Sequence, residues 1–248
     1  MALDISRIPR DGEICRIEPD AAMGGPSPTD RDEMKWGSDM QLFTRQLMTA
    51  GPEAEAAAWA TEMAAAASAK MGTEVALWAA GFGAPRGAMA FTARVDGLAD
   101  LMAKAAPLAG DADYQAKVAK GAAIVVGPPQ DSLATPLHGD LGDPPPVGAM
   151  AVVTNAVIAN GQYAEAVGWG IDVAQHVTSL TGMPVGLMMQ EYGTFGQLTW
   201  IGIGADAAAV DASATATNGD ADYIKKMSAS GNLFVPGSGS RSLVTRVA

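Results

Sequence analysis

Chemistry-bearing residues are scarce in this chain of 248 residues, which has one cysteine, Cys15, and two histidines, His138 and His176. A lone cysteine excludes an intramolecular disulfide framework and fits a reducing cytoplasm. It also stands far from either histidine, so zinc-type ligand spacing is absent and no metal is expected. Positive charge is short as well: 16 Lys and Arg stand against 27 Asp and Glu, a formal net charge of −11, with no basic cluster. Phosphate backbones and anionic membranes both need a basic surface, so neither is an expected partner. No apolar run approaches the ~18 residues of a membrane span. Residues 1–20 alternate charge with isolated apolar residues in place of a signal-peptide core. A soluble, cytoplasmic protein is expected. Neither a P-loop nor a Ser-His-Asp arrangement is recognisable. Gly81-Phe82-Gly83 falls at an expected hairpin and not at a strand-to-helix turn, so it is no dinucleotide fingerprint. No cofactor is expected from these residues, and no catalytic residue is assigned.

What is present is an internal repetition. Gly110-Asp111-Ala112-Asp113-Tyr114 recurs as Gly219-Asp220-Ala221-Asp222-Tyr223. Upstream, Gly51 matches Gly161, Trp59 matches Trp169 and Gly72 matches Gly182, each pair 110 residues apart. Val75-Ala76-Leu77 matches Val185-Gly186-Leu187, and Phe82-Gly83 matches Tyr192-Gly193, at the same offset. The offset is read as falling to 109 only at the pentapeptide. Copies of ~100 residues are domain-sized halves and not solenoid units. Four segments follow: an N-terminal arm at 1–40, a first repeat at 41–130, a proline-rich linker at 131–149 and a second repeat at 150–248. With 48% hydrophobic and 17% charged residues, the chain can build a substantial core.

Each half reads in the same order. Leu42–Thr49 and Ala151–Ala159 are β-type runs, followed by helices at Pro52–Met71 and Gln162–Thr181. Pro52 suits a first helical turn, and Gly72 and Gly182 suit helix C-caps. Two strands come next, Glu74–Phe82 with Ala88–Val95 and Pro184–Tyr192 with Leu198–Ile203. A second helical region contains the repeated pentapeptide, and a short strand closes each half, at Ala123–Val126 and Leu233–Val235. The order is βαββαβ twice, a ferredoxin-like unit. Asp111 and Asp220 are expected as helix N-caps, since acids at i and i+2 do not face each other on a helix.

That order resembles the dimeric α+β barrel superfamily: antibiotic-biosynthesis-type monooxygenases, NIPSNAP-like proteins and haem-binding chlorite-dismutase relatives. The resemblance covers residues 41–248 and implies an α+β fold. Two tandem ferredoxin-like repeats would close a pseudo-twofold barrel with an extended N-terminal arm. It implies a monooxygenase-like barrel acting on a hydrophobic small molecule; the alternative is a non-catalytic structural or accessory subunit. A homo-oligomer, or a protein partner held through the arm, is the expected assembly.

Strand alternation places the candidate site. Val75, Leu77 and Ala79, with Val185, Leu187 and Met189, face the helices, leaving Trp78, Gln190 and Tyr192 inside the barrel. At an offset of 110, Met89 and Phe91 match Thr199 and Ile201, which puts Trp200 inside beside Trp78. In the first strand Arg45 and Asn155 share a face, as candidate polar anchors along with Gln46. The expected ligand-binding set is Trp78, Gln190, Tyr192, Trp200, Arg45 and Asn155, in a mostly apolar pocket; the alternative is aromatic side chains that fill the barrel. The haem relatives ligate iron through histidine, but His176 falls outside the apolar helix face and near Asp172, and His138 lies in the linker.

Overall fold

A computed structural model describes residues 40–139 and 143–248; the arm at 1–40, except Met40, lies outside them. The first half runs β1 (Gln41–Thr49), α1 (Glu53–Met71), β2 (Val75–Ala80), β3 (Ala88–Val95), α2 (Leu98–Gly110), α3 (Ala112–Gly121) and β4 (Val125–His138). The second runs β5 (Met150–Val157), α4 (Tyr163–Thr181), β6 (Val185–Tyr192), β7 (Gln197–Gly204), α5 (Ala207–Gly219), α6 (Ala221–Ala229) and β8 (Ser240–Arg246). The eight strands close a barrel in the order β1-β3-β2-β8-β5-β7-β6-β4. Each half therefore contributes four antiparallel strands in the ferredoxin-like order, and two seams, β2–β8 and β4–β6, join the halves.

Local chemistry explains the elements. α1 is rich in alanine, a strong helix former; buried Ala56, Ala60, Ala64 and Ala67 let it lie close on the sheet. Gly72 and Gly182 end α1 and α4 with φ of 65° and 71°, left-handed conformations that favour glycine. Past these caps the chain is tied back the same way in both halves: the Val75 and Val185 amides donate to the Ser68 and Thr178 hydroxyls.

Several expectations are corrected. The second helical region of each half is two helices, broken where Asp111 and Asp220 stand as N-caps; their carboxylates accept from the Tyr114 and Tyr223 amides at 2.8 and 2.6 Å. The closing strands are displaced as well. β4 continues to His138, through the segment read as the start of the linker, and leaves Gly127, Pro128 and Pro129 without register partners on β1. Proline has no N–H to donate, so the ladder skips it. Leu233–Val235 makes only an isolated bridge, Ile158 to Phe234, and the true closing strand is β8. His138 consequently pairs with Leu187 on β6.

His176 Nε2 donates to Asp220 Oδ1 at 2.8 Å; Asp172 pairs instead with Lys226. The Tyr223 amide, and then His176, hold the Asp220 carboxyl below its ordinary value of 3.8. A depressed folded-state value stabilises the fold above the unfolded carboxyl's pKa, and this is lost as pH falls toward the folded one. Asp220→Asn should therefore remove part of the acid sensitivity below pH about 4, measured as melting temperature against pH. An unchanged acid limb would show that ionisation of Asp220 contributes nothing to stability.

The largest correction concerns register. Leu77 pairs with Phe91, and Leu187 pairs with Trp200. Leu187 lies 110 residues after Leu77, but Trp200 lies only 109 after Phe91. The offset therefore changes in the β2–β3 hairpin and not at the pentapeptide. A slip of one residue turns every side chain of a strand to the opposite face. Trp200 thus faces the helices, as Phe91 does. Buried side chains form three groups: a first-half core between its helices and sheet, the matching second-half core, and a smaller group inside the barrel around Trp78 and Ala151.

Candidate functional site

Two cavities compete as the site. The barrel interior encloses about 240 Å³. Trp78, Ala76, Ala90, Ala151 and Val153 form its apolar wall, while Thr44, Gln46, Asn155, Gln190, Gln197 and Thr199 bring amides and hydroxyls into it. Three of these groups, Asn155, Gln197 and Thr199, bond one another. Asn155 Oδ1 accepts from Thr199 Oγ1 at 2.8 Å and from Gln197 Nε2 at 3.2 Å, and Trp78 Nε1 donates to Thr92 Oγ1 at 3.0 Å. Glu74, Pro144 and Pro145 line the opposite end of the interior, where buried Arg246 bonds Glu74 and the Pro145 carbonyl.

The second cavity is larger, about 460 Å³, and lies outside the barrel wall, between the first-half sheet and α1, α2 and α3. Its body is apolar: Phe43, Leu47, Met63, Phe91, Leu101 and Leu108 contribute, with the Trp59 indole. Trp59 Nε1 donates to the Lys117 carbonyl at 2.9 Å, which fixes the ring against α3. Gly121 makes room for it; a Cβ there would stand 2.3 Å from the indole. Exposed Met102 and Val118 also line this cavity.

Its polar groups are few and include Arg45, Asp131 and Tyr114. Arg45 Nε and Nη2 donate to the two carboxylate oxygens of Asp131, each at 2.7 Å. The hydrogen bond to Asp131 raises the guanidinium pKa further, keeping Arg45 cationic, and burial lifts the Tyr114 hydroxyl above its ordinary value, keeping it protonated. An apolar chamber with one cation, one carboxylate and one neutral hydroxyl matches the composition of a small-molecule site. It can hold a flat hydrophobic body and orient an oxygen atom on it.

The six residues expected at the site are dispersed. Trp78, Gln190 and Asn155 do share the barrel interior. Arg45 does not join them: β1 turns it to the helix side, opposite Asn155, because the offset between β1 and β5 is also 109 (Gln46 pairs with Ala90, Asn155 with Thr199). Tyr192 is largely exposed, at the end of β6 beside Leu133. Trp200 lines neither cavity. It packs in the second-half core with Trp169 and Phe234, and its Nε1 donates to the Gly170 carbonyl. Trp59, Phe91, Tyr114 and Asp131 were missed as site residues because their common chamber brings together β1, α1, β3, α3 and β4. One signal was available: Gly87 and Gly196, both left-handed at φ 87° and 71°, match at 109 and mark the hairpin where register changes.

Among the described residues no cluster of three or more His, Cys, Asp and Glu could hold a metal ion. No described helix is long and apolar enough to cross a membrane.

No protein-family model matches the chain, and no curated protein matches its sequence. Solved structures match its fold. A proposed monooxygenase of Fusobacterium nucleatum subsp. nucleatum superposes with a TM-score of 0.61 at 10% identity, over 84% of this chain and 93% of its own. An anthrone oxidase-like protein gives 0.60 at 11% identity, over 86% and 93%. A proposed monooxygenase of Lactobacillus acidophilus gives 0.57 at 12% identity, over 84% and 93%. At such identities the likeness establishes the fold: this chain is an α+β barrel of the kind these three proteins share.

Proposed function

We propose that the protein binds a hydrophobic small molecule in the first-half chamber between helices and sheet, and oxygenates it as a monooxygenase-like enzyme. The observation that carries this reading is the chamber itself: about 460 Å³, apolar in its body, with Arg45, Asp131 and Tyr114 in its lining. The helices exclude water from the body of the ligand. Arg45, held in place by its two bonds to Asp131, and the protonated Tyr114 orient its oxygen atom. Structural kinship with an anthrone oxidase-like protein makes anthrone the first compound to test. One O2 would convert its methylene carbon to a carbonyl, with one oxygen atom retained and the other leaving as water.

Oxygen uptake and anthraquinone formation should rise together above the spontaneous rate. Trp59→Ala, which removes an apolar wall, should weaken anthrone binding by roughly tenfold or more, an effect of ~1.4 kcal/mol. Catalysis absent from the wild type, for anthrone and for related tricyclic phenols, would sink the enzymatic reading. It would leave the second one, a non-catalytic structural or accessory subunit. That alternative is favoured by Phe82 and Phe195, 83% and 96% exposed on hairpins where no described residue covers them.

A further inference from the structure

We infer that the chain carries one such chamber and not two, because three positions at which the halves differ make its second-half counterpart a packed aromatic scaffold. The inference rests on the reading of the first-half chamber as the ligand site. Strand pairing fixes which residues correspond. Phe91 and Trp200 both lie opposite a fully buried leucine, Leu77 or Leu187. Val125 and Phe234 correspond as well, since Thr49 pairs with Val125 and Ile158 with Phe234. Trp59 and Trp169 are the shared third member, each donating Nε1 to a lysine carbonyl, Lys117 on α3 or Lys226 on α6, at 2.9 Å.

The space between these positions is where the halves part. In the second half Trp169, Trp200 and Phe234 make three mutual edge-to-face contacts, with ring centroids 5.4–5.9 Å apart. In the first, the smaller Phe91 and Val125 leave the centre open, and both line the chamber. A helix residue completes the exchange. A Cβ at Gly170 would sit 3.0 Å from both the Trp200 ring and Leu187, so α4 carries glycine where Trp200 presses against it. The matching position on α1 is Ala60, fully buried, whose methyl occupies the space a tryptophan at 91 would need. Phe91 and Val125 open the first half, with Ala60 barring a larger ring at 91; Trp200 and Phe234 close the second, with Gly170 making room for the indole. The polar groups diverge in the same direction. Arg45 and Asp131 correspond to Thr154 and Arg241, paired on adjacent strands of the second half, so the carboxylate is absent there.

The test is the stoichiometry of 1-naphthol, a small flat phenol, measured calorimetrically on the full chain. Wild type should bind one equivalent. The triple variant A60G/F91W/V125F should lose at least tenfold in affinity while its melting temperature holds or rises. The reverse exchange, G170A/W200F/F234V, should bind a second equivalent; W200F alone serves if the triple variant does not fold. A second equivalent in wild type that survives narrowing of the barrel interior by Ala90→Leu overturns the inference and leaves the proposed function standing. So does a folded reverse exchange still limited to one. No binding in wild type, or binding untouched by A60G/F91W/V125F, overturns the chamber reading itself.

Discussion

Trp200→Ala should lower the unfolding free energy by on the order of 3–5 kcal/mol, the usual cost of deleting a buried aromatic. It should do so without weakening ligand binding in the first half. The indole is only 8% exposed. Its removal forfeits two edge-to-face contacts, the hydrogen bond to the Gly170 carbonyl and a place in the apolar core that Trp200 shares with its cross-strand partner Leu187. Phe195→Ala is the control. That ring is 96% exposed, and its loss should fall within about 0.5 kcal/mol of zero. Chemical denaturation and 1-naphthol affinity measured on the same variants check both halves of the expectation. A Trp200→Ala variant of normal stability and poor affinity would return Trp200 to the binding site.

The second large effect is expected at a seam between the halves. Gly83 sits in the β2–β3 hairpin at φ +77°, and a Cβ there would stand 2.1 Å from the Arg241 carbonyl oxygen at the start of β8. A non-glycine residue in the left-handed region costs roughly 1–2 kcal/mol before any clash, and a β-branched one more. Gly83→Val must in addition push β8 away from β2. The adjoining bonds, Gly81 N to Leu243 O and Leu243 N to Phe82 O, are both 2.8 Å and lie in the displaced region. A loss of more than about 2 kcal/mol is therefore expected, with faster amide exchange at Leu243. Slow exchange there, with stability unchanged, would show that the hairpin can re-route without opening the seam.

How far the sequence could be read depended on the range of the interactions involved. α1, α4 and their glycine caps, the β2 and β6 faces, and the aspartate caps of α3 and α6 were all legible, because each is decided within one or two turns of chain. The same holds for the duplicated element order. The displaced closing strands were not legible. Leu233–Val235 is apolar and β-prone, but β8 forms at Ser240–Arg246, where β2 and β5 both supply partners. His138, placed by its neighbouring prolines in a linker, is held on β4 by pairing with β6.

The candidate site shows the division most sharply. Alternation alone placed Trp78 and Gln190 inside the barrel, since strands with a period of two fix a face once register is known, whereas Asn155 was read on one face with Arg45, from which the structure separates it. Trp200 was misplaced by one residue in a hairpin, because an apolar strand reads acceptably in either register and only the pairing of Leu187 with Trp200 selects one. By itself the sequence determined the two-half α+β architecture and the poverty of ionisable groups, since periodicity and composition are local properties. Tertiary structure alone decided that Trp59, Phe91 and Val125 surround open space while Trp169, Trp200 and Phe234 fill it. A cavity is a deficit of side-chain volume summed over residues that only the fold brings together.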